Sequence, residues 1–524
     1  MGTKTFNNYE DFLTFTRASG GHALRPVSYG TELVDTANTA SSWTAYGTNT
    51  VAQDGDAVKI TYVDNSQGAF IYLDASGGLS SSFEQGKLYR LTAEAKINTG
   101  SASLAFYDGS ATNVLPAVSS TTYIELSFNF VFSGSNRPYI NTSGLGSGEI
   151  FHIKSVSVKE VSFDKSDGTL TLFEHPDNIP RVEWDAQRNR LGLLVEESRT
   201  NLWVFSEDMS QTSFGGTGGT ATTDQYVAPD GTQTGDLVTM TSGQVYAYKS
   251  VTISTPTNVA YTISCYVKAA EANTSVGFRI GEFGGAAAGK FHDSDYTAIS
   301  STEWTRLDFT QTLEQSDRTQ VQAVIRTTSA TGSLLIWGVQ LEQGSFPTSY
   351  IKTTSSTATR SSELADVLVD NFGYNNSNEG TFVIHAKNLS YNPNGTDYPF
   401  LVRFDNATNS NDRLGIFLSE ASGNLVAEIK RNNVTQMSPV FKTATGGAVD
   451  EIVVAFAFAE DDFAVSDDGD AVITDTAGTL VPSSPIAKIG LGQAFNSVHM
   501  NAHITSFQYY PRRLTNAQIE DLSS

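Results

Sequence analysis

Cysteine occurs once, at Cys265, so no disulfide can close within the chain. Cys265 lies in the alternating stretch Tyr261-Thr-Ile-Ser-Cys-Tyr-Val267, where a thiol serves as a small buried hydrophobe. Long apolar runs are missing too. No stretch approaches the roughly 20 apolar residues of a membrane-spanning helix, and Met1-Gly-Thr-Lys-Thr-Phe6 lacks the apolar core of a secretion signal. The expectation is synthesis in a cytoplasm and no membrane insertion. Basic residues are scarce: 33 Lys and Arg stand against 56 Asp and Glu, a net charge of −23. That balance repels nucleic acid and anionic lipid, and it argues against both as partners. No heptad or collagen repeat is present, which excludes the common fibrous shafts. No Gly-x-Ser-x-Gly elbow and no phosphate-binding glycine loop can be found.

What remains is rich in Ser, Thr, Gly and Asn, with 11% aromatic and only 17% charged residues. This diet suits short strands joined by tight turns. At 524 residues the chain exceeds one core and suggests about three domains. The fold expected is all-β: three serial β-sandwich modules of jelly-roll or lectin-like type. The boundaries read as an N-terminal leader strand at 1–29, a first jelly roll at 30–162 and a connecting segment at 163–200. A second jelly roll follows at 201–351, then a Ser/Thr-rich linker at 352–362 and a third module at 363–524.

The second module repeats the first. Residues 88–96 match 260–268, residues 122–128 match 303–309, and residues 148–160 match 332–342. In 148–160 the alternation slips phase between Lys154 and Val156. In the third module, 462–473 reads as a hairpin with an Asp-Gly turn, and 504–522 as a strand followed by a short helix capped at Thr515. Mid-chain, two apolar runs, 191–195 and 202–205, flank the charged corner Glu196-Glu-Ser-Arg-Thr-Asn201 and read as two strands.

Several of these stretches look familiar. Gly192-Leu-Leu-Val-Glu-Glu-Ser-Arg-Thr-Asn-Leu202, with Phe15-Thr-Arg-Ala-Ser19, Pro180-Arg181 and Gly338-Val-Gln-Leu-Glu-Gln-Gly-Ser-Phe-Pro-Thr-Ser-Tyr-Ile351, resembles virion proteins of tailed phages, mostly tail-fibre or head-fibre proteins with lectin-like modules. The chain's end resembles concanavalin A-like, laminin-G-like domains. The resemblance implies a virion location with release by lysis, and a structural protein displaying lectin-like modules for attachment to host surface polysaccharide. It implies a homo-oligomer, commonly a trimer, contacting sister subunits and other virion proteins through the leader and residues 180–210. A capsid or tail decoration protein without glycan binding is the alternative, and a polysaccharide depolymerase the third. No enzymatic activity is expected.

Glycan recognition uses aromatic rings framed by polar side chains. Trp43 with Tyr46, and Tyr391 with Tyr398 in a turn-rich loop, are the candidates; Trp203, Trp304 and Trp337 fall in strand patterns and read as core. No cofactor is expected, though calcium could be held by the oxygen-rich loop of Asp405, Asn409, Asn411 and Asp412. The acidic turns at Asp461-Asp462 and 467–470 offer a weaker set. His499 and His503 share a strand face without an evident third ligand.

Overall fold

A computed structural model describes residues 13–34, 37–63, 68–73, 83–107, 112–114, 118–134, 138–215, 219–240, 246–253, 259–271, 274–286, 288–327, 333–369, 379–390, 398–406, 411–419, 423–443, 448–480, 486–493 and 499–524. Antiparallel strands build nearly all of it, with one well-formed helix, Asn516–Leu522, among the described residues. The chain divides into two compact units, residues 25–176 and residues 1–24 with 177–524.

In the first unit two sheets enclose one core. One sheet is centred on Leu88–Ile97, flanked by Ile124–Val131 and Ile150–Phe163. The sequence dictates this strand directly: Leu91, Ala93, Ala95 and Ile97 are buried while Arg90, Thr92, Glu94 and Lys96 face outward. The other sheet runs in the order Thr44–Ala45, Ala69–Tyr72, Tyr139–Ser143, Ser103–Tyr107, Thr112–Val114. Ile60, Ile71, Leu91, Phe106, Ile140, Phe151 and Ile153 meet between the sheets. Each such side chain contributes about 1.5–3 kcal/mol on burial. The phase slip in the closing strand is a β-bulge between Lys154 and Ser157, with Ser155 at φ 54°.

Residues 201–351 repeat this plan. Ala260–Ala269 lies between Thr305–Thr312 and Ser333–Gln343, so all three strand matches made on sequence are strand neighbours in both copies. The opposite sheet runs Ser213–Gly215, Tyr246–Thr252, Gln320–Thr327, Ser275–Phe283, Lys290–Asp293. The bulge recurs as well, opposite Ser264 and Tyr266, and here Gly338 takes the positive φ of 65°. Cys265 and Trp337 are buried, as their strand patterns imply, and Trp203 is buried as well; Trp304 is half-buried, its indole N–H donating to the Val227 carbonyl (3.0 Å).

The remaining residues form a larger sandwich. Its two sheets hold Phe400–Asp405, Arg413–Ser419 and Asn424–Arg431 on one side, and Glu379–Ser390, Ala448–Ala459 and Asn501–Tyr510 on the other. Asp468 and Gly469, at φ 47° and 75°, make the expected tight turn of the 462–475 hairpin. Thr515 caps the terminal helix through a reciprocal capping box with Gln518.

The segments read as a leader strand, a connection and a linker all carry strands, the linker's in a separate two-stranded sheet. Leu13–Thr16 pairs with Leu364–Val367, burying Leu13 and Phe15 in the large sandwich. Thr169–His175 joins the first unit's sheet, while Arg190–Val195 pairs with Asn501–Tyr510. Ala358–Arg360 pairs with Arg199–Asn201. Residues 202–205 are not the second strand expected: the backbone bends there, with Phe205 at φ 58°. Trp203 is thereby buried, and the Phe205 N–H is bonded to the Thr354 carbonyl (2.7 Å).

The charged corner at 196–201 lies inside this second unit. Arg181 donates from Nε to Glu363 (2.7 Å), from Nη2 to Glu196 (2.6 Å) and from Nη1 to the His22 carbonyl (2.6 Å) and Ser349 Oγ (2.5 Å). Arg17 donates to the same Glu363 oxygen (2.8 Å), and Arg360 to the Glu197 carbonyl (2.9 Å). Ser349 donates its N–H and hydroxyl to Glu196 (2.8 and 2.6 Å). Burial would push the Glu196 carboxyl up, but the Arg360 and Arg181 guanidinia hold it well below the usual carboxylate range. Gly344 beside this cluster takes φ 151°, a backbone conformation that L side chains rarely adopt, and a Cβ there would also meet the Arg199 guanidinium. Arg17, Arg181, Glu196, Arg199 and Ser349 come from the four stretches that carry the sequence resemblance. These residues are spent on internal packing.

Candidate functional site

The outer face of the first unit's five-stranded sheet gathers aromatic rings. In Ala69–Tyr72 the odd phase, Ala69 and Ile71, enters the core, so Phe70 and Tyr72 face outward. Tyr139 stands opposite Tyr72 on one side and Tyr107 on the other. Tyr46 reaches the same face from the adjoining segment. Ring centroids lie 4.7 Å apart for Tyr46–Phe70, 5.1 Å for Phe70–Tyr72, 6.0 Å for Tyr72–Tyr139 and 4.9 Å for Tyr139–Tyr107. Each such pair adds about 0.5–1.5 kcal/mol beyond its buried area. All five rings are half-buried, leaving ring surface open to solvent. Burial, with the neighbouring Tyr139 and Tyr72 phenols, raises the Tyr46 hydroxyl above its ordinary pKa.

Beside the row stands Asn141, opposite Phe70 and Ala105. It is 6% exposed, and its side-chain oxygen has no hydrogen-bond partner among the described residues. Leaving such an acceptor unpaired costs about 1–3 kcal/mol. Such an acceptor is open to a donor from water or from a ligand. The described outward positions of this face carry no Asp, Glu, Lys or Arg: Phe70, Tyr72, Ser103, Ala105, Tyr107, Tyr139, Asn141 and Ser143 are all neutral. The arrangement can stack apolar ring faces against a ligand and offer it phenol hydroxyls and one buried amide oxygen.

Of the residues singled out on sequence, Tyr46 belongs to this row. Trp43 does not: following a short 3-10 turn at Ala40–Ser42, it is buried in the core, its indole N–H donating to the Ala37 carbonyl (2.7 Å). Tyr398 lies elsewhere, 51% exposed and edge-on to Phe417 (5.2 Å). Tyr391 and Asn409 lie outside the described residues. The Asp405 carboxylate is held by Arg403 Nε (2.8 Å), and Asp412 accepts the Asn432 N–H (3.1 Å), while Asn411 is exposed. Among the described residues no three His, Cys, Asp or Glu side chains gather as a metal set. His503 is tied to Glu183 (2.6 Å) and Asn388 (3.2 Å). Sequence reasoning missed Phe70, Tyr72, Tyr107, Tyr139 and Asn141. The available signal was Ala69-Phe-Ile-Tyr-Leu73, a strand apolar in both phases with its aromatics in one.

No protein-family model matches the chain, and no curated protein matches it in sequence. Among solved structures, the chain is similar to the N-terminal CBM22 tandem domain of Paenibacillus barcinonensis Xyn10C, at 11% identity and a TM-score of 0.24, covering 62% of this chain and 99% of that one. It is similar to the CBM40 of the Ruminococcus gnavus IT-sialidase (16% identity, TM-score 0.22, 28% and 83% covered) and to domains LG4-5 of the mouse laminin alpha1 chain (8% identity, TM-score 0.19, 64% and 97% covered). At these TM-scores the likenesses carry no function across. The aromatic face rests on its own geometry.

Proposed function

We propose that this chain binds saccharide, and that the aromatic face of its first module is a principal site. The observation that carries the reading is the combination of a continuous half-exposed aromatic row with the Asn141 oxygen beside it, which has no hydrogen-bond partner among the described residues. Sugar rings present apolar C–H faces that stack on aromatic rings, and their hydroxyls donate to buried acceptors. The neutrality of the face favours an uncharged glycan chain. The reading assigns binding, not hydrolysis, to this face, since glycoside cleavage uses a pair of carboxylates. The virion resemblance supports a wider role: display of such modules on a tailed-phage particle for attachment to host surface polysaccharide. Weak single sites would then gain avidity by repetition in an oligomer.

The test is saccharide binding by the purified full chain, measured on a panel of neutral polysaccharides and on host cells before phage addition. Binding that is lost in a Tyr72→Ala/Tyr139→Ala double variant of unchanged melting, with lowered phage adsorption by the wild type, is the expected result. A wild type that binds neither saccharide nor cells, even when clustered, would leave the decoration or spacer role in its place.

A further inference from the structure

The duplicated module carries a matching face with different chemistry. On its outer sheet the strand Ser275–Phe283 places Gly277, Arg279 and Gly281 outward, alternating with the buried Val276, Phe278 and Ile280. The two glycines let rings lie down on the sheet. A Cβ on Gly277 would approach the Tyr296 ring to 3.1 Å, and one on Gly281 would approach the Phe291 ring to 3.0 Å. These rings remain 38% and 49% exposed, unusually open for aromatic side chains in this chain. Between them stand two arginines. Arg279 grips Asp293 with both arms of its fork, Nε at 2.5 Å and Nη2 at 2.8 Å, and Arg326 Nη1 donates to the same carboxylate at 2.9 Å. Arg279 also lies over Phe291 and Arg326 over Tyr296, at 4.5 and 5.0 Å from the ring centroids. Gln322 and Ser250 continue the face.

We infer that this face is a second saccharide site, distinct from the aromatic row of the first module, and that it takes a sugar bearing a carboxylate. Planar guanidinia recognise carboxylates through paired N–H donors. Asp293 shows that geometry already assembled, with a carboxylate seated between two guanidinia at a solvent-facing position where Arg279 keeps 26% and Asp293 41% of its side-chain surface. A ligand carboxylate takes the place of Asp293 on Arg279, while Arg326, anchored on the Phe278 and Ser294 carbonyls (3.1 Å each), stays fixed. The flanking Phe291 and Tyr296 rings stack the sugar that carries it.

The experiment uses the full chain and two carboxylated probes, oligogalacturonate and oligosialate, each against its carboxyl-reduced counterpart, with dextran sulfate as a general polyanion. The proposal expects at least one acidic probe to bind tenfold or more tighter than its reduced form and than dextran sulfate. That preference falls at least tenfold in Arg279→Gln and in Tyr296→Ala, and persists in the Tyr72→Ala/Tyr139→Ala variant. Asp293→Asn, which removes the competing carboxylate, binds the acidic probe as tightly as the wild type or tighter. Equal binding of acidic and reduced probes, equal binding of dextran sulfate, no binding of either acid, or a tenfold loss in Asp293→Asn would each overturn it. Loss of acid binding in the Tyr72→Ala/Tyr139→Ala variant would assign that binding to the first module and overturn the second site. Tyr296→Ala keeps the question open to measurement should Arg279→Gln fail to fold.

Discussion

The first and second modules share strand order and a bulge in the closing strand, yet their outer faces differ in kind. Tyr72, Tyr139 and Tyr107 form an uncharged row in the first. At the same sheet the second holds Arg279, Asp293 and Arg326 between two rings laid on glycines. Duplication preserved the inward phase of each strand, where Ile71 and Phe106 or Phe278 and Ile280 fill a core, and left the outward phase free to diverge. The lesson is that fold resides in one strand phase and ligand chemistry in the other.

The two units also differ in what holds them, and breaking that difference gives the largest expected effect. Removing one partner of a buried ion cluster leaves an uncompensated charge, at a cost of about 3–5 kcal/mol. Arg181→Met should therefore lower the melting of residues 177–524 strongly while the transition of residues 25–176 stays in place, as calorimetry would show. A single shifted transition for the whole chain would contradict this.

Next in size is an exchange of binding losses. Tyr139→Ala should cost about 2 kcal/mol, roughly 30-fold, in neutral saccharide affinity and nothing in acidic probe affinity, with Arg279→Gln doing the reverse. Titration calorimetry of both variants on both probes checks it. Losses on both probes from either change would merge the two faces into one site.

A smaller effect concerns pH. Burial first, with the neighbouring Asp224 and Asp208 carboxylates and against hydrogen bonds from the Met209 and Asp224 N–H groups, pushes the Asp236 carboxyl up to about 7. Its folded pKa exceeds the unfolded value of about 3.9. The stability it contributes is thus complete below pH ~3.9 and lost as pH rises through about 7. Glu196 has the opposite sign, its contribution present above the usual carboxylate range and lost only in strong acid. Melting of the second unit should decline between pH ~4 and ~7, and Asp236→Asn should flatten that decline. An unchanged slope in the variant would remove Asp236 from the account.

The fold was largely legible because its signals are local. Alternation in residues 88–96, the phase slip at Ser155, the Asp468-Gly469 turn and the Thr515 cap each act within a few residues. The charged corner at 196–201 was legible as important but not in its role, since Arg17 and Glu363, themselves 346 residues apart, meet beside it together with Arg181, Ser349 and Arg360. The aromatic face was hidden for the same reason. Tyr46 stood out alone, whereas Tyr72, Tyr107 and Tyr139 become one surface only through pairing across three strands. Trp43, conspicuous in sequence, serves the core.

The most direct measurement joins stability and binding in one variant, Asn141→Leu. The Asn141 oxygen is buried and has no hydrogen-bond partner among the described residues, and the proposed role for it is to accept from a ligand. Replacing it with an apolar side chain of similar size should raise stability by about 1 kcal/mol and weaken neutral saccharide binding roughly tenfold. A variant that binds as well as the wild type would contradict the account, whatever its melting temperature.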